Sequence, residues 1–464
     1  MKRAQRVHFI GIGGIGMSAI AQNMLEEGRV VSGSDVKPGH VTDRLAFRGA
    51  TIFEGHQASN IGEADLVIRS SAVPDDNPEV REARRRGIPV IKRAVYLGQL
   101  MDEKRAIAVA GTHGKSTTSS LIGMALLKGG LDPTLLIGAD LVELGANARL
   151  GRGPHLVAEA DEFDGSLREF RPWIAVVTNI EPEHLDYYGT YEALLETFRT
   201  FTKTVPQDGH VLLCSDDPGA RSIQDGASIT YGLGHEAMWQ AINIRPNGLG
   251  GTVFEVTRHG EDIGTFATPL PGRHNVANSL ACVATGVLVG LSPVALGRSI
   301  ASFRGVARRF QFKAEVAGIT VVDDYAHHPT EVRATLRAAR ERFGPRRLVC
   351  LFQPHTFSRT KLLMDDFKDA FADADEVLIA DIYAAREVNT YGITSADLAS
   401  AINHPRRQWI GSLQDALSYL ARRLKRGDVL LTVGAGDVDL VGDWVLRDLA
   451  GRAVGASRPE GGAE

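Results

Sequence analysis

Short apolar runs, each bounded by glycine or polar residues, alternate along most of this chain with longer stretches whose apolar positions recur at helical spacing. Runs that are apolar throughout predict strands buried on both faces of a parallel sheet, and the longer stretches predict the helices that cover it. Val7 to Ile10 is the first such strand. A glycine turn and an apolar helix from Met17 to Leu25 follow, and Val30–Val31 open a second strand that ends at Asp35. Leu66 to Ile68 and Ile88 to Ile91 read as further strands. Ala106 to Ala110 passes through a second glycine-bounded turn into a helix that reaches Leu127. His155–Ala158, Ile174–Thr178 and His210–Cys214 are strands, with a helix over Tyr191–Thr204.

Between Gly226 and Pro271 the texture changes. Asn247-Gly, Gly250-Gly and His259-Gly punctuate β-rich runs such as Val253–Thr257, which predicts antiparallel hairpins inserted beside the parallel sheet. A long apolar helix then runs from Asn278 to Val289; Asn275 and Asn278 suit a helix start. Alternation resumes past Lys313, with strands at Thr320–Val322, Leu348–Phe352, Val377–Ala380 and Val429–Val433. Helices are predicted at Pro329–Arg342, Lys361–Phe371 and Ser412–Leu424. The fold class is therefore α/β, with parallel sheets covered on both faces. Boundaries fall near Arg105 and Lys313, giving segments 1–105, 106–312 and 313–454. The Gly-, Pro- and charge-rich tail 455–464 is expected to be disordered.

A chain of 464 residues exceeds one ordinary core and predicts two to four domains. Lys and Arg total 52 against 56 Asp and Glu, a net charge of −4, so no large basic field exists for nucleic acid. Cys214, Cys282 and Cys350 lie in apolar runs without metal-site spacing, which suggests reduced thiols in a cytosolic protein. No apolar run reaches the roughly 18 residues of a membrane-spanning helix. Met1 to Val7 is basic and leads into apolar residues like a signal peptide, but glycines interrupt the run and strand–turn–helix fits better. A cytoplasmic chain, monomeric or weakly self-associating, is expected.

Three loops carry candidate chemistry. Gly111-Thr112-His113-Gly114-Lys115-Ser116-Thr117 sits where a strand meets a helix. Its glycines let backbone N–H groups approach phosphate oxygens, Lys115 can reach β- and γ-phosphates, and the Ser116 hydroxyl can ligate Mg²⁺. The loop is shorter than the usual phosphate-binding pattern, whose first glycine would fall at Val109. The alternative is an ordinary strand-to-helix turn. Gly11-Ile12-Gly13-Gly14-Ile15-Gly16 carries the dinucleotide-fold spacing, with Asp35 placed roughly 20 residues on to accept a hydrogen bond from a ribose or base. Ser70 and Ser71 can line the same crevice. Mononucleotide and nucleotide-sugar sites use this turn too, and a purely structural turn competes. Glu159, Asp161, Glu162 and Asp164 crowd past a strand, where they can bind a hard cation or form a solvated acidic loop. His184, in Asn179-Ile-Glu-Pro-Glu-His-Leu-Asp, is a further metal or substrate candidate. Asp323-Asp324-Tyr-Ala-His327-His328 and Gln353-Pro-His355-Thr-Phe-Ser-Arg359 offer polar substrate contacts. No third ligand at a recognised spacing supports zinc at the histidine pair.

Taken together, His8-Phe-Ile-Gly-Ile-Gly-Gly-Ile-Gly-Met-Ser, the Gly111–Thr117 loop, Asn179–Asp186 and Asp324-Tyr-Ala-His-His-Pro-Thr resemble the Mur ligases, with the motifs in family order over the whole ordered chain. The opening glycine turn and Phe352–Arg359 resemble the branch that adds L-alanine to UDP-N-acetylmuramate for peptidoglycan precursors. The resemblance implies three domains: a Rossmann-like first domain for the UDP moiety, a central domain for ATP and Mg²⁺, and a Rossmann-like third domain that helps close the site and binds the amino acid. It implies phosphoryl transfer from ATP to the sugar's carboxylate and attack of the amine on the resulting acyl phosphate. By the same resemblance Ser116, Glu159 and His184 are metal ligands. Asn278, Arg309 and Asp324 lie around ATP, and His327 and Arg359 near the reacting substrates. Either His327 or His328 can take the ammonium proton.

Two positions depart from the family pattern. Arg199 stands where several Mur ligases carry a carbamylated lysine, so no such modification is expected. Thr356 stands where some alanine-adding relatives have arginine, which leaves Arg359 alone. The competing readings are a ligase that recycles whole peptides onto the same nucleotide sugar, a nicotinamide-dependent oxidoreductase built on Gly11–Asp35, and a nucleotide-binding scaffold. The oxidoreductase reading leaves the Lys115 loop and the acidic cluster unexplained.

Overall fold

The structure, a computed structural model, describes residues 4–456 apart from 235, 249 and 386. The first sheet contains β1 (Arg6–Ile10), β2 (Val30–Asp35), β3 (Thr51–Glu54), β4 (Leu66–Arg69) and β5 (Val90–Lys92). Its order is β3-β2-β1-β4-β5 and every pairing is parallel. The order reverses between β1 and β4, so the loops after these two strands flank the crevice in which such sheets bind ligands. That places Gly11–Gly16 and Ser70–Ser71 at one switch point. The fifth strand starts later than the expected Ile88: the Ile88 N–H is spent on Ala83 O at the end of the preceding helix, and the ladder is entered through Pro89 O.

The second sheet has ten strands: β6 (Arg105–Ala110), β7 (Thr134–Leu141), β8 (Ala146–Arg149), β9 (His155–Glu159), β10 (Ile174–Val177), β11 (His210–Cys214), β12 (Ile229–Gly232), β13 (Trp239–Pro246), β14 (Thr252–Arg258) and β15 (Glu261–Thr268). The order is β15-β14-β13-β12-β11-β10-β6-β9-β7-β8. The central strand β6 pairs in parallel with β10 on one side and β9 on the other. The phosphate-type loop, the acidic cluster and Asn179–His184 therefore leave the same edge of the sheet side by side. The β-rich segment after Gly226 differs from expectation in one respect. Rather than standing beside the sheet it continues it, because β12 pairs in parallel with both β11 and β13.

The third sheet contains β16 (Gln311–Val316), β17 (Ile319–Asp324), β18 (Leu348–Phe352), β19 (Glu376–Ala380), β20 (Arg407–Gly411) and β21 (Val429–Val433), in the order β16-β17-β21-β18-β19-β20. Only β16 runs antiparallel. The expected helix Lys361–Phe371 is two short ones, Phe357–Leu362 and Met364–Phe367, because Thr356 caps an earlier start and Leu363 (φ −103°, ψ 17°) breaks the run. At the C-terminus a helix extends from Asp439 to Ala456, so Gly455 and Ala456, expected in the tail, are helical; residues 457–464 lie outside the described residues.

By compactness the chain forms two units. One runs to Val306 apart from Pro246–Thr252 and Pro269–Asn275, which belong with the second unit from Ala307 onward. Within the first unit a continuous apolar core joins the first two sheets, from Val7, Phe9 and Met17 through Leu97 and Met101 to Leu167, Phe170 and Phe198. The helix Arg93–Asp102 makes that join so close that a Cβ at Gly98 would collide with the Glu169 carbonyl. In the second unit Phe352, Phe367 and Phe371 centre the core on one face of the sheet. Cys214, Cys282 and Cys350 are buried and free. Among the described residues no helix is long and apolar enough to cross a membrane.

Candidate active site

Backbone geometry decides the Gly111–Thr117 loop. Gly111 has φ +131°, and a Cβ there would collide with Thr178 Oγ1; Gly114 has φ +81° and lies against Asn278, 2.9 Å from Oδ1 to the added Cβ. The loop after β10 braces it: Asn179 Oδ1 accepts the His113 N–H at 2.8 Å, and Thr178 Oγ1 donates to His113 O at 2.6 Å. No described side chain caps the following helix, Lys115–Lys128. Its first N–H groups lie at the positive end of the helix dipole, a position that favours an anion. Asn278, expected near ATP from the resemblance, packs against this loop and accepts the Thr118 hydroxyl at 3.1 Å.

Lys115 is folded back. Its Nζ donates to Gly111 O at 2.6 Å and Glu162 Oε2 at 2.8 Å. Burial by itself would lower its pKa, but the charges of Glu162, Asp161 and Glu159 outweigh burial and hold the ammonium firmly protonated.

Of the three metal ligands expected from the resemblance, Ser116 and Glu159 meet, Oγ to Oε2 at 3.2 Å. Gly138 on β7 donates its N–H to Glu159, and a Cβ there would sit 2.5 Å from Oε2. His184, held at φ +55°, groups instead with Asp161 and Glu162, their ligand atoms lying within 4.8 Å of one another. The carboxylates of Asp161, Glu162 and Glu159 and the Ser116 hydroxyl supply the oxygen donors that Mg²⁺ takes, with the His184 imidazole a softer donor beside them. Asp164 leaves the cluster, its φ +54° turning it toward Lys92 at 3.6 Å. Arg199 is engaged with Glu192 at 2.7 Å and Glu196 at 3.4 Å.

At the first sheet's switch point, Ser34 O accepts the N–H groups of Gly11 (2.8 Å) and Ile12 (3.0 Å). Asp35 does not point outward only: Oδ2 accepts the Gly13 N–H at 2.9 Å and Oδ1 the Lys37 N–H at 3.2 Å. Its carboxylate holds the turn, and each oxygen keeps a further lone pair for a ligand. Ser70 packs against Gly11, whose added Cβ would lie 3.2 Å from Ser70 Cβ; Ser71 follows in the same loop. Gly14 precedes the helix Ile15–Glu26, which has neither a side-chain cap nor an acid in its first turn. Arg93, not singled out from the sequence, lies against Gly16, its Nη1 3.0 Å from the position of an added Cβ, and its charge reaches Asp161 of the acidic cluster. Only its place at the end of β5, where parallel sheets present functional groups, marks it in the sequence.

In the second unit, Asp324 at the end of β17 accepts the N–H groups of Phe310 and Ala326, both at 2.8 Å. Burial pushes its carboxyl up to about 6, against the pull of Arg309. Arg309 stacks over Tyr325, 5.2 Å from the ring centroid. His327 Nδ1 lies 3.0 Å from Tyr325 O, whereas His328 caps the helix Pro329–Phe343, accepting the Thr330 N–H at 3.3 Å. His327 faces His355 (centroids 5.7 Å apart), His355 stacks on Tyr383, and Arg359 Nη1 meets His355 Nδ1 at 3.0 Å. Tyr383 escaped notice in the sequence because it follows an unremarkable strand, β19. Thr356, at φ +65°, caps the helix carrying Arg359 and adds no charge.

Residues 6–105 match the family described as Mur ligase family, catalytic domain; 109–286 match the Mur ligase middle domain, and 308–436 the Mur ligase glutamate ligase domain. UDP-N-acetylmuramate–L-alanine ligases of Anaeromyxobacter dehalogenans strain 2CP-C and Geobacter sp. strain M21 are each 47% identical over 96% of this chain, covering 98% and 97% of their own lengths. The crystal structure of UDP-N-acetylmuramate-alanine ligase MurC from Thermotoga maritima superposes with a TM-score of 0.84 at 28% identity, covering 96% of this chain and 99% of that one. A murein peptide ligase from Psychrobacter arcticus shares the fold, with a TM-score of 0.71 at 23% identity over 96% and 98% of the two chains. With the three domain families matched in order and relatives aligned along nearly the whole length, the chain belongs to the Mur ligase family.

Proposed function

We propose that this enzyme joins L-alanine to UDP-N-acetylmuramate with hydrolysis of ATP to ADP and phosphate. The observation that carries the reading is Arg93, which lies against the glycine-turn helix at one nucleotide-type loop while its charge reaches Asp161 beside the other. A substrate held at the first loop thus extends toward a triphosphate held at the second. We assign residues 1–105 to the nucleotide sugar through Gly11, Gly13, Gly14, Gly16, Asp35, Ser70 and Ser71, residues 106–312 to ATP and the metal, and residues 313–454 to the amino acid.

A carboxylate is a poor electrophile. Its oxygen displaces ADP from the γ-phosphorus, which gives an acyl phosphate; the amine then attacks the acyl carbon and the bond to phosphate breaks as the amide forms. Lys115 exchanges Glu162 and Gly111 O for phosphate oxygens and stabilises charge there together with the loop N–H groups. Ser116, Glu159 and His184, with Asp161 and Glu162 adjacent, would hold Mg²⁺, which when bound neutralises phosphate charge. His327 is the better placed proton acceptor: with Nδ1–H donated to Tyr325 O its Nε2 is the basic nitrogen, while His328 is engaged as a helix cap. Arg359, oriented by His355, is the cation for the amino acid's carboxylate.

The test is phosphate release from ATP with UDP-N-acetylmuramate across a panel of amino acids. Release should require both the nucleotide sugar and a small amino acid, L-alanine before glycine and L-serine. Release that ignores the nucleotide sugar overturns the reading.

A further inference from the structure

Beneath the glycine turn of the first sheet lies a charged group that none of the reaction steps uses. Glu79 is fully buried, as are its neighbours His8 and Ser34. The sequence Asn77-Pro78-Glu79 places it in the first turn of a helix: Asn77 Oδ1 accepts the Glu79 N–H at 2.9 Å, and proline pre-sets the turn. Glu79 Oε2 accepts the Ser34 hydroxyl at 2.6 Å, and Oε1 accepts Asn60 Nδ2 at 2.6 Å and the Gln57 N–H at 3.3 Å. Two imidazoles approach the same carboxylate, His56 Nδ1 at 3.4 Å and His8 Nε2 at 3.7 Å, the latter too long for a hydrogen bond. Burial raises the Glu79 pKa, but the His8 imidazole and the donors of Ser34 and Asn60 outweigh burial and keep the group ionised.

A buried carboxylate is costly to keep, and replacing such a group by apolar residues is often neutral for stability. Its geometry here suggests a different use. Ser34 is the residue whose carbonyl takes both the Gly11 and Ile12 N–H groups, and the next residue, Asp35, takes the Gly13 N–H. Both ends of Ser34 are therefore fixed, its hydroxyl by Glu79 with His56 Nδ1 3.0 Å from Oγ, and its carbonyl by the turn. We infer that Glu79 is a positioning residue for the nucleotide-sugar site, acting through Ser34 to hold the Gly11–Gly13 amides in their ligand-binding arrangement. This rests on the reading of the first sheet as the nucleotide-sugar site.

The full-length enzyme tests it with UDP-N-acetylmuramate and UDP as calorimetric probes, alongside steady-state kinetics. Glu79→Ala should raise the Kd of both probes and the KM for the nucleotide sugar about tenfold or more, while the KM for ATP and kcat at saturation change by less than about threefold. Glu79→Gln, which keeps the shape and an acceptor for Asn60, should recover most of the lost affinity. Ser34→Ala, a smaller perturbation that decides the matter if Glu79→Ala does not fold, should weaken UDP binding and speed hydrogen exchange at Gly11 and Ile12 selectively. Unchanged UDP affinity in folded Glu79→Ala or Ser34→Ala overturns the inference. So does an equal loss in both nucleotides' KM and in kcat, which would mark a general structural role. A wild-type enzyme that fails to bind UDP-N-acetylmuramate instead removes the reading of the first sheet, and that result is distinguishable because it precedes any substitution.

Discussion

Lys115 and Glu162 form the pair on which the central site turns. The lysine's ammonium reaches a carboxylate of which 1% is exposed, and its remaining donors go to the loop's own carbonyls. The pairing leaves the charge of Lys115 compensated by Glu162. Truncation at Lys115 removes transition-state charge stabilisation and leaves the buried Glu162 without its cation. Lys115→Ala should therefore lower kcat by about a thousandfold or more, with the Kd for UDP-N-acetylmuramate unchanged by calorimetry. Near-normal turnover in a folded variant would remove Lys115 from catalysis. Much at this scale was legible in the sequence. Gly111 and Gly114 must be glycine because of their φ values and close neighbours, and such constraint shows in one chain. Arg93, Tyr383 and the grouping of His184 with Asp161 and Glu162 were not legible, because each depends on which strands lie side by side and not on local spacing.

Among the elements, β7 and β17 each deliver a backbone constraint that has a measurable consequence. Gly138 on β7 lets Glu159 lie directly against the strand. In Gly138→Ala the added methyl would push the carboxylate away from Ser116, and the Mg²⁺ concentration for half-maximal activity should rise severalfold; an unchanged metal titration would exclude Glu159 from the ion's ligands. At the end of β17, Asp324 has a folded pKa of about 6 against an ordinary 3.8. Below the lower value both folded and unfolded states carry the proton, so its stabilising effect is complete. Between the two values only the folded state keeps it, and stability falls as pH rises, by up to about 3 kcal/mol over the window. Melting of the wild type should decline between pH 4 and pH 6.5 more steeply than that of Asp324→Asn; parallel profiles would contradict the assignment. Element positions were mostly foreseeable from apolar runs. The errors came from hydrogen-bond competition, as where Ile88 bonds back to a helix end, and from short helices such as Phe357–Leu362 that are set by a cap and carry too few turns for a periodic signal.

At the scale of the whole molecule, three sheets make two compact units, and the joined core of the first two sheets is the reason. Boundaries near Arg105 and Lys313 look alike in the sequence, each a short passage between α/β patterns. Fusion of the first pair depends on contacts such as Gly98 against Glu169, which no local pattern announces. Fusion also bears on how the protein melts. Sheets that share one continuous core cannot lose their packing separately, so differential scanning calorimetry should resolve two endotherms, not three. UDP, bound at the first sheet, should shift the endotherm that also contains the Lys115 loop by mass action and leave the other in place. Heat thus becomes a way to see the two proposed nucleotide sites as parts of a single cooperative body: on that proposal, whatever steadies the first sheet also protects the Lys115 loop.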